Sequence, residues 1–259
     1  MVTKKLMLYS LSMLFLIELN IQKTFAQDNN VLFKQASNAE IALNEQQALD
    51  LYKKILVTDP NNLKALVKAT ELSCSTGERL PIANDKRITF QSALAYAQRA
   101  VAAHPEAAES YYALALASAK LTEVESNKKQ LVQYVKDIKT NADKALSINP
   151  NLGMANFVEG RWHYEMNELN WAKKLALKTM YPGGVPATSY DSAIVYLEKC
   201  RKTEPYYVLN YLILAKSYKA NNNPSKSIEV LQQLVKLPIR TPDDAALKAE
   251  GQKLLDSLM

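Results

Sequence analysis

ALAYAQRAVAAHP, residues 93–105, is one of four stretches of this chain that end in a proline after a similar pattern. The others are ALDLYKKILVTDP at 48–60, IKTNADKALSINP at 138–150 and AIVYLEKCRKTEP at 193–205. Mostly small or apolar residues stand twelve, eight and five places before each proline, and these offsets share one face of an α-helix. Each stretch therefore predicts a helix that ends at its proline, because proline cannot continue a helix. The residues at these offsets are Ala48, Tyr52, Ile55, Ala93, Ala97, Ala100, Ile138, Ala142, Ala145, Ala193, Leu197 and Cys200.

A second register runs forward from the same prolines. Ten residues after each of them the chain carries a small residue, where a neighbouring helix can come close. These four residues are Thr70, Ala115, Gly160 and Ala215. A second helix is thus predicted after each proline, and we expect its small residue to lie where two helices cross.

This two-helix unit resembles the tetratricopeptide repeat, a helical hairpin of about 34 residues. Successive prolines at 60, 105, 150, 205 and 238 are 45, 45, 55 and 33 residues apart, so three units are lengthened. We expect the extra residues between the two helices of a unit, as a longer loop or an extended helix. The longest insertion, 169–189, contains an amphipathic segment followed by a loop with two glycines. The fold class predicted is all-α, an α-solenoid of tetratricopeptide-like helical hairpins.

The segment TPDDAALKAEGQKLLDSL, residues 241–258, predicts a C-terminal capping helix. A solenoid must cover the apolar face of its last unit, and a terminal helix does so. Either Thr241 or Asp243 is the expected N-cap, with Asp244 placed favourably in the first turn.

The first 26 residues predict a secretory signal peptide. Lys4 and Lys5 precede an apolar run over 6–17, which is too short to span a bilayer, and a small residue, Ala26, marks the cleavage site. The expected mature chain is a single helical-repeat domain over 27–259, exported to the periplasm or cell envelope, without a transmembrane segment.

Composition argues against several classes of function. The formal net charge of +6 is modest, and its lysines are interleaved with acids, so no nucleic-acid partner is expected. Cys74 and Cys200 fall in different, non-adjacent units, so two separate thiols are expected rather than a disulfide. The sequence has no phosphate loop, metal-ligand spacing or nucleophile motif, so neither an enzyme nor a cofactor is predicted.

The polar cluster GRWHYEMNEL, residues 160–169, raises the question of a metal or catalytic site. In the repeat register Gly160 is a crossing residue, and His163 occupies a position that other units fill with serine or tyrosine. His104 lies at a helix end one unit away, so a shared metal site is not favoured. We interpret His163 as structural and expect Trp162 to be buried against the inserted helix, with Tyr164 facing the groove.

The residue after each crossing residue is expected on the helix face that points toward the concave groove. Helical-repeat solenoids use this groove for binding. Arginine and aromatic residues concentrate binding energy at interfaces, although a long arginine can equally cover its neighbours. The last two complete hairpins therefore predict a partly aromatic, partly basic patch for a protein or peptide partner. Its residues are Phe157, Arg161, Tyr164, Leu212, Lys216 and Lys219.

Several stretches between Gly160 and Leu255 resemble the regulator of microtubule dynamics family. They are GRWHYE, the amphipathic segment with its YPGGVPATSYDSAI continuation, YVLNYLILAKSY and LVKLPIRTPDDAALKAEGQKLL. This resemblance implies a helical-repeat fold, and for the animal members an intracellular association with microtubules or mitochondrial contacts. Two functions follow as hypotheses: an exported, non-enzymatic scaffold that binds a protein or peptide in its groove, or a microtubule-associated regulator.

Overall fold

The computed structural model describes residues 28–181 and 183–259. The predicted signal peptide and the cleavage site after Ala26 lie outside these residues. The described residues form helices and no strands. The helices are α1 (28–41), α2 (Glu45–Thr58), α3 (Leu63–Glu78), α4 (Ala83–Ala103), α5 (Ala108–Thr122), α6 (Lys128–Ile148), α7 (Gly153–Glu168), α8 (Trp171–Met180), α9 (Tyr190–Thr203), α10 (Val208–Ala220), α11 (Pro224–Leu234) and α12 (Asp244–Asp256).

Antiparallel hairpins build the molecule. Phe33 of α1 packs edge-on against Tyr52 of α2, and the next hairpins are α3/α4, α5/α6, α7/α9 and α10/α11. Each hairpin also packs against the following one, and α12 covers α10 and α11. The predicted all-α solenoid of tetratricopeptide-like hairpins with a capping helix is confirmed.

The two sequence registers meet at the helix crossings. The four small residues ten places after the prolines are all buried. A Cβ atom added at Gly160 would lie 2.7 Å from Leu197 Cγ and 3.0 Å from the carbonyl oxygen of Ala193. Gly160 thus packs against Ala193 and Leu197, which stand twelve and eight places before Pro205. The same arrangement recurs in the second hairpin, where the Thr70 hydroxyl donates to the carbonyl of Leu66 at 2.9 Å and lies 3.4 Å from the carbonyl oxygen of Ala93.

Extended helices account for most of the extra length in two units. Both α4 and α6 have 21 residues. The fourth unit is different, because α8 and a loop, described at residue 181 and over residues 183–189, separate its two helices. Gly183 and Gly184 in this loop have φ of +82° and +84°, a conformation that side chains with a Cβ rarely adopt. These glycines allow the chain to turn from α8 back toward α9.

Asp243, one of the two predicted N-caps of α12, holds that position, but its hydrogen bonds differ from the expectation. Asp243 is the N-cap residue of α12, but its side chain makes no capping hydrogen bond. Asp244 supplies the acceptor instead: its carboxylate receives bonds from the backbone N–H groups of Arg240 and Thr241, at 2.7 and 2.8 Å, and from the Thr241 hydroxyl at 2.8 Å. The reason is tertiary, because the carboxylate of Asp243 binds Arg79 while Asp244 is buried and needs donors.

Both cysteines are free and buried, Cys74 in α3 and Cys200 in α9. Burial raises the pKa of the Cys74 thiol to about 12 and raises that of Cys200 as well. Neither thiol is therefore ionised near neutral pH. Within 28–181 and 183–259, no helix is long and apolar enough to cross a membrane.

Candidate functional site

The first helices of successive hairpins form the inner wall of the solenoid. Contacts connect α3 to α5, α5 to α7 and α7 to α10. Glu71 of α3 faces this inner side, where its carboxylate accepts a hydrogen bond from the Tyr112 hydroxyl of α5 at 3.0 Å. Arg161 and Lys216 occupy the equivalent position in α7 and α10. Each of these positions follows the crossing residue of its helix by one.

A cleft of about 720 Å³ opens at the C-terminal end of this wall, between α7, α10 and α12. Three residues of the predicted patch line it: Tyr164, Lys216 and Lys219. Its size lies within the range of pockets that hold small ligands or side chains of a partner. The remaining lining residues are Glu168, Ala220, Asn222, Glu250, Lys253 and Leu254.

Phe157 and Leu212, also predicted for the patch, lie in the core. Their exposed fractions are 2% and 1%, so neither offers surface to a partner. Phe157 is covered by Tyr207 from the start of the next hairpin, with ring centroids 4.8 Å apart at 77°. Leu212 belongs to the same apolar cluster, in the helix against which α12 packs. These two residues are corrected from binding residues to core residues that support the inner wall.

Arg161 lies on the inner wall but does not line the cleft. Its Nε donates to the carboxylate of Glu165 at 2.6 Å, one turn along α7. Burial lowers the pKa of Arg161, but Glu165 and the hydroxyl of Tyr207 outweigh this and raise it. The guanidinium is therefore charged, and its nearest carboxylate is one from its own helix.

The cleft itself has unbalanced charge. Lys216 Nζ pairs with Glu250 of α12 at 2.7 Å, and the Glu168 carboxylate accepts from the Tyr190 hydroxyl at 2.6 Å. Lys219 and Lys253 form no ion pair with any residue in the described part of the chain. With three lysines and two glutamates, the lining carries a formal net charge of +1.

Tyr164 adds a neutral donor at the edge of the cleft. Burial and the nearby Glu168 carboxylate raise the pKa of Tyr164 to about 12, so its hydroxyl keeps its proton at neutral pH. Its ring lies 6.2 Å from that of Tyr190, centroid to centroid. The cleft therefore combines an aromatic face with cationic and neutral hydrogen-bond donors.

The cluster around His163 is a buried ion pair in the core. Glu159 is fully buried, with Lys139 Nζ of α6 at 3.0 Å and His163 Nε2 at 3.2 Å from the same carboxylate oxygen. His163 is parallel to the Tyr196 ring of α9, at 5.8 Å. The cluster connects α6, α7 and α9. The carboxylate of Glu159 is tolerated in this packed interface because it is paired with charged or polar groups of its neighbours.

Trp162 is buried, as predicted, and its polar partners come from α6. The indole N–H donates to the carbonyl of Val135 at 3.3 Å, and Lys139 Nζ lies 5.7 Å from the ring centroid, both in α6. The third hairpin therefore supplies these polar contacts. In the described ranges no three or more histidine, cysteine or acidic side chains converge as metal ligands would.

Sequence reasoning missed the contribution of the capping helix to the cleft. Glu250, Lys253 and Leu254 have the i, i+3, i+4 spacing of one helix face, next to Gly251, which packs on Leu234 of α11. That spacing could have indicated a second functional face on α12. Asn222 had no such signal, since it lies in the turn after α10 with φ of +55°.

Comparison with known proteins agrees with this architecture. The family model described as "Regulator of microtubule dynamics protein 1-3" matches residues 32–259. The chain belongs to this family. Regulator of microtubule dynamics protein 1 of Mus musculus is 26% identical over 176 residues, which cover 67% of this chain and 57% of the mouse protein. Regulator of microtubule dynamics protein 3 of Bos taurus is 26% identical over 173 residues, covering 66% of this chain and 36% of that protein.

The matches span only part of these relatives, 57% of the mouse protein and 36% of the bovine one. Among solved structures, a thermophilic tetratricopeptide-repeat protein of Thermus thermophilus is similar in fold. The TM-score is 0.63 at 15% identity, covering 88% of this chain and 98% of that chain. This family member thus shares its hairpin architecture with tetratricopeptide-repeat proteins.

Proposed function

We propose that this member of the regulator of microtubule dynamics family is an exported, non-enzymatic scaffold that binds an acidic segment of a partner protein. The binding site is the cleft between α7, α10 and α12. One observation carries the proposal: Lys219 and Lys253 both line this cleft, beside Tyr164, and form no ion pair in the described part of the chain.

The chemistry favours carboxylates as the groups recognised. Ammonium groups form short, charge-assisted hydrogen bonds to carboxylates, and these are stronger than bonds between neutral groups. Lys216 already pairs with the carboxylate of Glu250 at 2.7 Å, and this intramolecular pair supports the proposal. A partner carboxylate could take the free positions at Lys219 and Lys253, while its neighbouring side chains pack on Tyr164.

Affinity capture from native extracts tests the location of the site. The protein with Lys219→Glu and Lys253→Glu is compared with a matched variant, Lys128→Glu and Lys202→Glu, whose lysines are exposed on α6 and α9. We expect the cleft variant to lose the partner and the matched variant to retain it. Equal recovery with both variants would place the binding site elsewhere.

The groove itself is tested with Arg161→Glu combined with Lys216→Glu. Reversing these charges repels Glu165 and Glu250 as well as a partner carboxylate, so circular dichroism must first establish that the variant is folded. We expect reduced capture of the same partner. Undiminished capture would restrict recognition to the outer part of the cleft, at Lys219 and Lys253.

The second proposal is regulation of microtubules, which the names of the relatives and the family match over 32–259 favour. Location separates the two proposals. N-terminal sequencing of the native protein should begin at Gln27 if the protein is exported as predicted. A native chain that retains residues 1–26 and fractionates with the cytoplasm would support the microtubule proposal instead.

A further inference from the structure

Arg79, the residue directly after α3, joins two distant parts of the solenoid. One end of its guanidinium pairs with Glu45, the first residue of α2. The other, Nη1, donates to the carboxylate of Asp243 at the start of α12, at 2.6 Å. The third, fourth and fifth hairpins lie between these partners in the chain. The second hairpin thus contacts the capping helix, and the solenoid closes on itself.

Electrostatic contacts deeper in the solenoid agree with this closure. Burial raises the pKa of Glu204, at the end of α9, and the carboxylate of Glu71 on α3 raises it further. The pKa of Tyr207 is raised by burial, against the effect of Arg161, and Glu71 and Glu78 add to the increase. Residues of the fourth and fifth hairpins therefore face α3 across the concave side.

The two halves of the Arg79 contact differ in exposure. Glu45 is 10% exposed and also accepts a hydrogen bond from the Ser75 hydroxyl at 2.8 Å, so it is held by α2 and α3. Asp243 is 38% exposed; burial raises its pKa, and Arg79 acts in the opposite direction. A more exposed carboxylate is screened more strongly by water and salt. The contact between Arg79 and Asp243 is the weaker half.

We propose that the Arg79–Asp243 pair is an ionic latch that holds the solenoid in a closed ring and releases it when the pair is broken. On opening, Arg79 stays with Glu45 and α12 moves away from the second hairpin. Exposed ion pairs are weak, so breaking this one should raise the ratio of open to closed molecules by about two- to fivefold. The latch needs no partner and so stands independently of the proposed binding function.

A distance measurement across the closure tests the latch. Spin labels are attached to cysteines introduced as Asn84→Cys in α4 and Ala245→Cys in α12, both at exposed positions. The native thiols are buried and unionised, so they should not react. Distances between the labels are measured by pulsed electron paramagnetic resonance at about 0.01 M and about 1 M salt, where the Debye length falls from roughly 30 to roughly 3 Å.

We expect the short-distance population to decrease at high salt. Asp243→Lys should give the longer distances already at low salt and should abolish the salt dependence. Glu229→Lys is the matched control, because it makes the same charge change in a local pair with Lys226 of α11. This control should behave like the unsubstituted protein.

Two results would overturn the latch. The first is an unchanged distance distribution for folded Asp243→Lys at low salt, since apolar packing alone would then close the ring. The second is a distance distribution of the unsubstituted protein that does not respond to salt. This second result decides the question even if Asp243→Lys does not fold.

Discussion

Gly160 shows how a single residue sets the spacing of two helices. A Cβ atom at this position would collide with Leu197 and with the backbone of Ala193, so α7 and α9 can approach this closely only at glycine. The repeat register predicted this residue, because a small side chain is required at the same position of each unit, ten residues after the proline.

Gly160→Leu should therefore overpack the fourth hairpin and lower the free energy of unfolding by about 1–3 kcal/mol or more. Urea denaturation followed by circular dichroism measures the effect. Ala95→Leu, at an exposed position of α4, is the control and should change the value by less than about 0.5 kcal/mol. An unchanged stability for Gly160→Leu would mean that the two helices do not cross there.

The buried carboxylate of Glu159 gives a second prediction at this scale. Lys139→Met removes its main cationic partner and should cost about 3 kcal/mol, because a buried charge is then left without compensation. Asp143→Asn removes the exposed partner of the same lysine and should cost less than about 1 kcal/mol. Similar thermal stabilities for the two variants would contradict a structural role for the cluster.

Individual residues also show where sequence reasoning fails. Phe157 and Leu212 fall on the groove side of the register, yet both are buried. Burial depends on what covers a position, and Tyr207 comes from the next hairpin. The position of a residue in the repeat predicts which side of its helix the residue occupies. It does not predict which other parts of the chain cover that side.

At the scale of elements, the inserted helix α8 has one side toward the core. Leu177 is 7% exposed, whereas Leu175 on the same helix is 48% exposed. The amphipathic pattern predicted the helix, and the paired glycines after it predicted the loop. The sequence alone left open whether the other insertions were loops or longer helices, since their residues suit either.

Leu177→Ala should lower the free energy of unfolding by about 2 kcal/mol or more, through lost burial and the cavity that remains. Leu175→Ala should change it by less than about 0.5 kcal/mol. Urea denaturation of the two variants checks the orientation of α8. If Leu175→Ala is the more damaging substitution, then α8 packs through its opposite face.

The start of α12 shows an element boundary that tertiary contacts decide. Asp243 has the expected position and residue type for an N-cap, but Arg79 lies 164 positions earlier in the chain and binds its carboxylate. Local preference predicted Thr241 or Asp243 as the N-cap, with Asp244 in the first turn. It could not predict which of the two adjacent aspartates would accept the backbone hydrogen bonds.

At the scale of the whole molecule, stacked hairpins create surfaces that no single unit contains. The cleft needs α7, α10 and α12 together, and the ring closure needs the curvature accumulated over all the units between Arg79 and Asp243. The repeat register in the sequence predicted a solenoid with a groove. It could not predict closure, because small rotations between successive hairpins add up over the chain.

The central functional claim is that the lysines of the cleft bind an acidic partner. The direct test is the dissociation constant of the purified partner, measured by calorimetry at low and high salt. The Lys219→Glu, Lys253→Glu protein should bind at least about tenfold more weakly than the Lys128→Glu, Lys202→Glu protein, a loss of about 1.4 kcal/mol, with a reduced dependence on salt. Equal dissociation constants for the two variants would contradict the claim.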